Sequence, residues 1–157
     1  MSVDKKSSIS AELATLLFDE VANFDDETVS GEGLAYYESA QVFDAVVFHN
    51  KLSARVGNYF ESRQVRVEMH GKEITSFCTC EDGKQMCIHA VALLYAWVND
   101  AADFMDLETV LQDIGKVEKS RLLEIVKNIL QQQPHLAHLF LQIEKPDWDE
   151  IDADPLI

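Results

Sequence analysis

The stretch Cys78-Thr79-Cys80, then Glu81 to Met86, then Cys87-Ile88-His89, runs directly into the apolar segment AVALLYAWV at residues 90–98. All three cysteines of the 157-residue chain fall within the ten positions 78–87, beside a histidine at 89. Disulfide stapling of a secreted domain would call for an even, dispersed set, so this clustering points to metal or redox chemistry. Three thiolates and an imidazole make up a complete tetrahedral shell for zinc, with no position left for water. On a strand, residues i and i+2 point the same way, so Cys78 and Cys80 can share an ion. On a helix they diverge, so Cys87 should precede a helix and His89 should lie in its first turn. A helix N-terminus there supplies N–H donors and partial positive charge to sulfur, and Lys84 can add to it. Two readings compete with zinc. One is a set of plain buried thiols, and the other is a redox pair, for which a Cys78–Cys80 bond would be strained.

Downstream of His89 the segment is apolar on nearly every side, as an enclosed core helix would be. Upstream the period is two. Leu52, Ala54 and Val56 alternate with Ser53, Arg55 and Gly57, Val65, Val67 and Met69 with Gln64, Arg66 and Glu68, and Ile74, Ser76 and Cys78 with Thr75 and Phe77. This predicts a small antiparallel meander with turns at Asn50-Lys51 and His70-Gly71. Outside it the spacing is helical. Ile9, Leu13, Leu16, Leu17, Val21 and Phe24 predict one amphipathic helix capped by Ser8 or Ser10 and broken by the DDET at 25–28. A short helix from Thr28 or Ser30 through Tyr37 follows. Near the C-terminus, helices are expected over Asp106–Ile114, along Leu122 to Leu130, and from Pro134 to Ile143, before a frayed acidic tail. The expected fold is α+β: a small antiparallel β-meander whose zinc site leads into a core helix, flanked by N- and C-terminal helices. The expected division is an N-terminal helical extension at 1–30, a zinc-binding module at 31–100 and a C-terminal extension at 101–157.

Charge qualifies the partner. Thirteen basic residues face twenty-eight acidic ones, a net charge of -15. Residues 1–30 carry -5, residues 31–100 carry -3, and residues 101–157 carry -7. Nucleic acid and anionic membranes both select basic surface, so neither is the default partner. The exception is local: Lys51, Arg55, Arg63, Arg66 and Lys72 outnumber Glu61 and Glu68 between residues 51 and 72. Arg55, Arg63, Arg66 and Lys72 are therefore the candidate nucleic-acid contacts, with Tyr59 or Phe60 as stacking groups, against the plainer reading of a solvated strand face. The longest apolar run is nine residues, well short of a membrane span, and no secretory signal is read in the first residues. The expected compartment is the cytoplasm, or the nucleus in a nucleated cell.

The C-x-C-x6-C-x-H arrangement, behind a meander and ahead of an apolar helix, resembles a SWIM-type zinc finger over about residues 31–100. Gly33, Tyr36, Tyr37 and Val42 match the family's lead-in pattern. The resemblance implies zinc held by Cys78, Cys80, Cys87 and His89. It also implies DNA or protein binding, in a setting that includes helicase-like ATPases, transposases and recombination factors. Residues 119–143 resemble the extension of short stand-alone bacterial members. Where the family often has Pro after the second cysteine and a basic residue before the histidine, this chain has Glu81 and Ile88. Those departures leave the ligands intact and disfavour a phosphate.

A four-ligand site is closed to substrate, the glycine-lysine pairs lack the upstream glycine of a P-loop, and His49, His70, His135 and His138 stand apart. No enzymatic activity is expected, and helicase or transposase chemistry would belong to another polypeptide. The expected role is a zinc-stabilised protein-interaction adaptor, in association with a DNA-processing assembly. Its partner would be a helicase-like or recombination enzyme. The alternative is direct, weak nucleic-acid binding through the basic face of the meander.

Overall fold

A computed structural model describes residues 8–80 and 86–141. The expectations for the 81–85 part of the linking loop, including Glu81 and Lys84, and for Ile143 and the acidic tail lie outside the described residues. The chain divides into two units, residues 1–111 and residues 112–157.

In the first unit the alternation forms the predicted meander: β1 (Gln41–Phe48), β2 (Lys51–Gly57), β3 (Ser62–His70) and β4 (Glu73–Cys78), each antiparallel to the next. The turns fall one residue away from those expected, at His49-Asn50 and Gly71-Lys72. Gly71, at a φ of 62°, takes the left-handed position that favours glycine. A two-residue strand that periodicity does not reveal, β5 (Met105–Asp106), pairs parallel to β1 and makes the sheet mixed, in the order β4-β3-β2-β1-β5.

Side chains of one parity, among them Leu52, Val56, Val65 and Val67, are fully buried against the core helix α4 (Ile88–Asp100), where every residue from Ala90 to Trp97 is buried. An all-round apolar helix needs cover on all sides. The sheet supplies one side, and α2 (Phe18–Val29) and α3 (Glu32–Ser39) supply more.

The N-terminal helix differs from expectation. Residues 9–24 form two pieces, α1 (Ala11–Ala14), capped by Ser10, and α2, which runs through the DDET instead of stopping at it. The reason is Asp25, which is only 1% exposed. Its carboxylate accepts the backbone N–H groups of Gly33 (2.8 Å) and Leu34 (3.0 Å) and the Tyr95 hydroxyl (2.8 Å). Asp25 therefore serves the first turn of α3, whose own N-cap, Gly31, makes no side-chain cap. The chain reverses between the two helices through left-handed Ser30 and Gly31. Burial and the Asp25 carboxylate both raise the Tyr95 phenol, which keeps it protonated and donating. Gly33 permits the close approach: a Cβ there would stand 2.3 Å from Val91 Cγ1 and 2.8 Å from Asp25 Oδ1. At the far end of α4, the Trp97 indole N–H donates to the Leu13 carbonyl at 2.8 Å.

Helix α5 (Leu107–Ile114) matches the expected span within a residue. In the second unit, α6 (Lys119–Gln132) carries the expected apolar stripe, and Pro134 opens a 3-10 turn (Pro134–Leu136) ahead of α7 (Ala137–Leu141). No helix among the described residues is long and apolar enough to cross a membrane.

Candidate metal centre

The four ligand candidates come from the end of β4 and the start of α4. Cys78 lies opposite Val65 in the β3–β4 ladder, which puts it on the core-facing side of the sheet. The ladder continues past β4: the Thr79 N–H donates to the Gln64 carbonyl (3.1 Å), and the Gln64 N–H donates to Thr79 Oγ1 (3.0 Å). That continuation carries Cys80 to the same side as Cys78, as the spacing predicts. The Cys80 N–H donates to Cys78 Sγ at 3.4 Å.

On the other side of residues 81–85, Cys87 is the N-cap of α4, with extended backbone angles (φ −117°, ψ 173°) and no side-chain cap bond. Its carbonyl accepts the first helical bond, from the Val91 N–H at 3.1 Å. His89 lies in the first helical turn, and the Tyr36 ring of α3 meets the imidazole edge-on at a centroid distance of 5.0 Å. One donor atom from each of Cys78, Cys80, Cys87 and His89 lies within 4.8 Å of all the others.

Three sulfurs and an imidazole nitrogen, converging from a strand end and a helix start, fit a tetrahedral zinc ion. Burial, with Cys87 also contributing, pushes the Cys78 thiol up to about 12, and burial raises Cys87 as well. Crowded, part-buried thiols resist ionisation until a cation compensates their charge, which is what a structural zinc ion does.

Residues 62–97 match the SWIM zinc finger family. The SWIM segment takes in β3, β4, the four donors and α4 as far as Trp97, a shorter span than the 31–100 expected from the lead-in pattern. No curated protein and no solved structure matches the chain significantly.

The candidate nucleic-acid contacts are brought together only in part. Arg55 of β2 and Arg66 of β3 share the outer face of the sheet, away from α4. Arg55 pairs with Asp44 at 2.9 Å and lies over the Phe43 ring (5.4 Å), and Arg66 lies over Phe77 (5.0 Å). Arg63 has the parity of buried Val65 and Val67, so it sits on the opposite face, paired with Glu61 near Tyr36. Lys72 is in the β3–β4 turn, beside a groove that Glu12 and Glu20 also line. Tyr59 and Phe60 stand out from the β2–β3 loop at 89% and 101% exposure. The Asn58 side chain fixes that loop by accepting the N–H groups of Phe60 (2.9 Å) and Glu61 (2.8 Å).

Sequence reading missed Asp25 as a structural hub. The available signal was the Tyr95 hydroxyl, inside an otherwise apolar helix and in need of a buried acceptor. The opposite parity of Arg63 and Arg66 could also have been counted from the strand period alone.

Proposed function

We propose that the chain is a zinc-stabilised adaptor: a SWIM module whose zinc, held by Cys78, Cys80, Cys87 and His89, fastens the end of the sheet to the core helix while other surfaces bind a protein partner. The observation that carries this reading is the convergence of the four donors within 4.8 Å at the β4–α4 junction. Four protein ligands leave no open position for substrate, so the zinc acts by holding the fold and catalyses nothing. The compartment that suits this role is the cytoplasm. A DNA-processing enzyme is the kind of partner this reading takes, and the SWIM resemblance is its support.

Native mass spectrometry of the purified chain should show one bound zinc, absent after Cys80→Ser or Cys87→Ser. A folded chain that takes up no zinc overturns the metal assignment. Cross-linking in the native host should capture a protein with the wild-type chain and lose it with the zinc-free variants. No captured protein at all overturns the adaptor role.

A second reading, direct contact with single-stranded nucleic acid, is supported by the exposed rings of Tyr59 and Phe60 and by the contact of Tyr59 with Phe43, over whose ring Arg55 lies. Fluorescence anisotropy with labelled oligonucleotides at low salt tests it. Undetectable binding, or binding indifferent to Phe60→Ala, overturns it.

A further inference from the structure

On the outer face of the sheet, the cross-strand register sets two rows side by side. One row is Val46, Ser53, Arg66 and Phe77; the next is Phe48, Lys51, Glu68 and Thr75. The bulky apolar groups sit on the outer of these four strands, Val46 and Phe48 on β1 and Phe77 on β4, while the two strands between them contribute Lys51 and the short Ser53 from β2 and Arg66 and Glu68 from β3. The result is a trough of about 490 Å³, which Leu107 also lines, within the size range of ligand sites. Phe77, on the edge strand β4, is 53% exposed, a cost in water that a bound apolar side chain would remove.

The charged groups at the trough select the occupant. Among the described residues, neither Arg66 nor Lys51 forms an ion pair. Arg66 is instead held over the Phe77 ring, which fixes its guanidinium at the trough. The one carboxylate lining the trough, Glu68, lies 3.1 Å from His70 Nε2. Elsewhere on this face Arg55 is neutralised by Asp44. A largely apolar trough that holds two cations outside any ion pair, against the single carboxylate of Glu68, complements a ligand that carries a large apolar side chain together with carboxylates.

We infer that this trough docks a short acidic segment of a partner protein, with one large apolar side chain between Phe48 and Phe77 and carboxylates against Arg66 and Lys51. This rests on the adaptor reading and names the surface and the class of partner. Nucleic acid suits the trough less well. Two cations neutralise about two phosphates, too few to outweigh the repulsion of a polyanion by the rest of the chain. A peptide needs only one anchored side chain and a pair of carboxylates.

The test uses the full-length zinc-loaded chain, isotopically labelled, titrated with a synthetic peptide that has a central Trp flanked by Asp and Glu. Amide shifts are expected in Val46, Phe48, Ser53, Arg66 and Thr75. Binding should weaken roughly ten-fold or more in Arg66→Glu and Phe77→Ala, and with a peptide carrying Ala for Trp or Lys for the acids. Zinc content and circular dichroism establish that each variant is folded. If Phe77→Ala does not fold, Arg66→Glu, at an exposed position, still decides the matter. No binding, shifts confined to other surfaces, or oligo(dT) binding at the trough more tightly than the peptide overturns the inference. Cross-linking separates this failure from that of the adaptor reading. A host protein captured equally by wild type, Arg66→Glu and Phe77→Ala overturns the trough alone, whereas no captured protein overturns the adaptor.

Discussion

Helix α4 is fastened in two places by different means. At its N-terminus, Cys87 and His89 converge with Cys78 and Cys80, and on the zinc reading proposed above that fastening needs an ion. Two turns further along, the Tyr95 hydroxyl meets the buried Asp25 carboxylate, which also serves the first turn of α3, and that fastening is complete within the protein. Metal-binding free energy becomes folding free energy only where the site is otherwise unformed. The two ends of the helix should therefore respond differently to chelation.

The largest expected effect breaks one end alone. Chelation or Cys87→Ser should remove a contribution of order 10 kcal/mol in apparent binding free energy. Hydrogen exchange should then rise sharply in β4 and the first turn of α4, while amides near Tyr95 and Gly33 keep much of their protection. Uniform loss of protection would show a single cooperative knot in place of two fastenings.

Asp25→Ala attacks the other end. It strands two backbone donors and the Tyr95 hydroxyl, at a cost of roughly 3 kcal/mol in denaturant unfolding, with zinc stoichiometry unchanged. Gly33→Ala pushes a methyl group into Val91 and Asp25, and about 1–3 kcal/mol is expected by the same measurement. Tyr95→Phe removes one hydroxyl from a carboxylate that keeps two N–H donors, so about 1 kcal/mol is expected. If Asp25→Ala instead released zinc, the two fastenings would prove to be coupled through α3 and the Tyr36–His89 contact. Phe60→Ser, which touches neither, should stay within about 0.5 kcal/mol of wild type.

The two fastenings also differ in how openly the sequence announces them. Cysteine and histidine at these intervals have few other uses, so the metal end was legible down to the parity of Cys78 and Cys80 and the helix start at Cys87. The Asp25 end was hidden, because an acidic run at 25–28 reads as a helix terminator when solvent is its default surrounding. Only the tertiary fold brings Gly33 and Tyr95 within reach of that carboxylate. The meander and core helix followed from period and composition, whereas β5, at two residues, is too short for any period to show. Arg63 illustrates a different loss: local charge grouped it with Arg66, although the strand alternation sends the two to opposite faces.

Trp97 turns this architecture into a spectroscopic handle. Its indole N–H reaches the Leu13 carbonyl across 84 positions of chain, and its ring meets Phe104 edge-on at 5.1 Å, near the end of α4 remote from the zinc donors. In a Trp148→Phe variant, which leaves Trp97 as the one tryptophan of the sequence, its emission reports whether the N-terminal segment is seated on the core helix. A chelator titration followed by that emission would show whether removing the metal at one end of α4 is felt at the other.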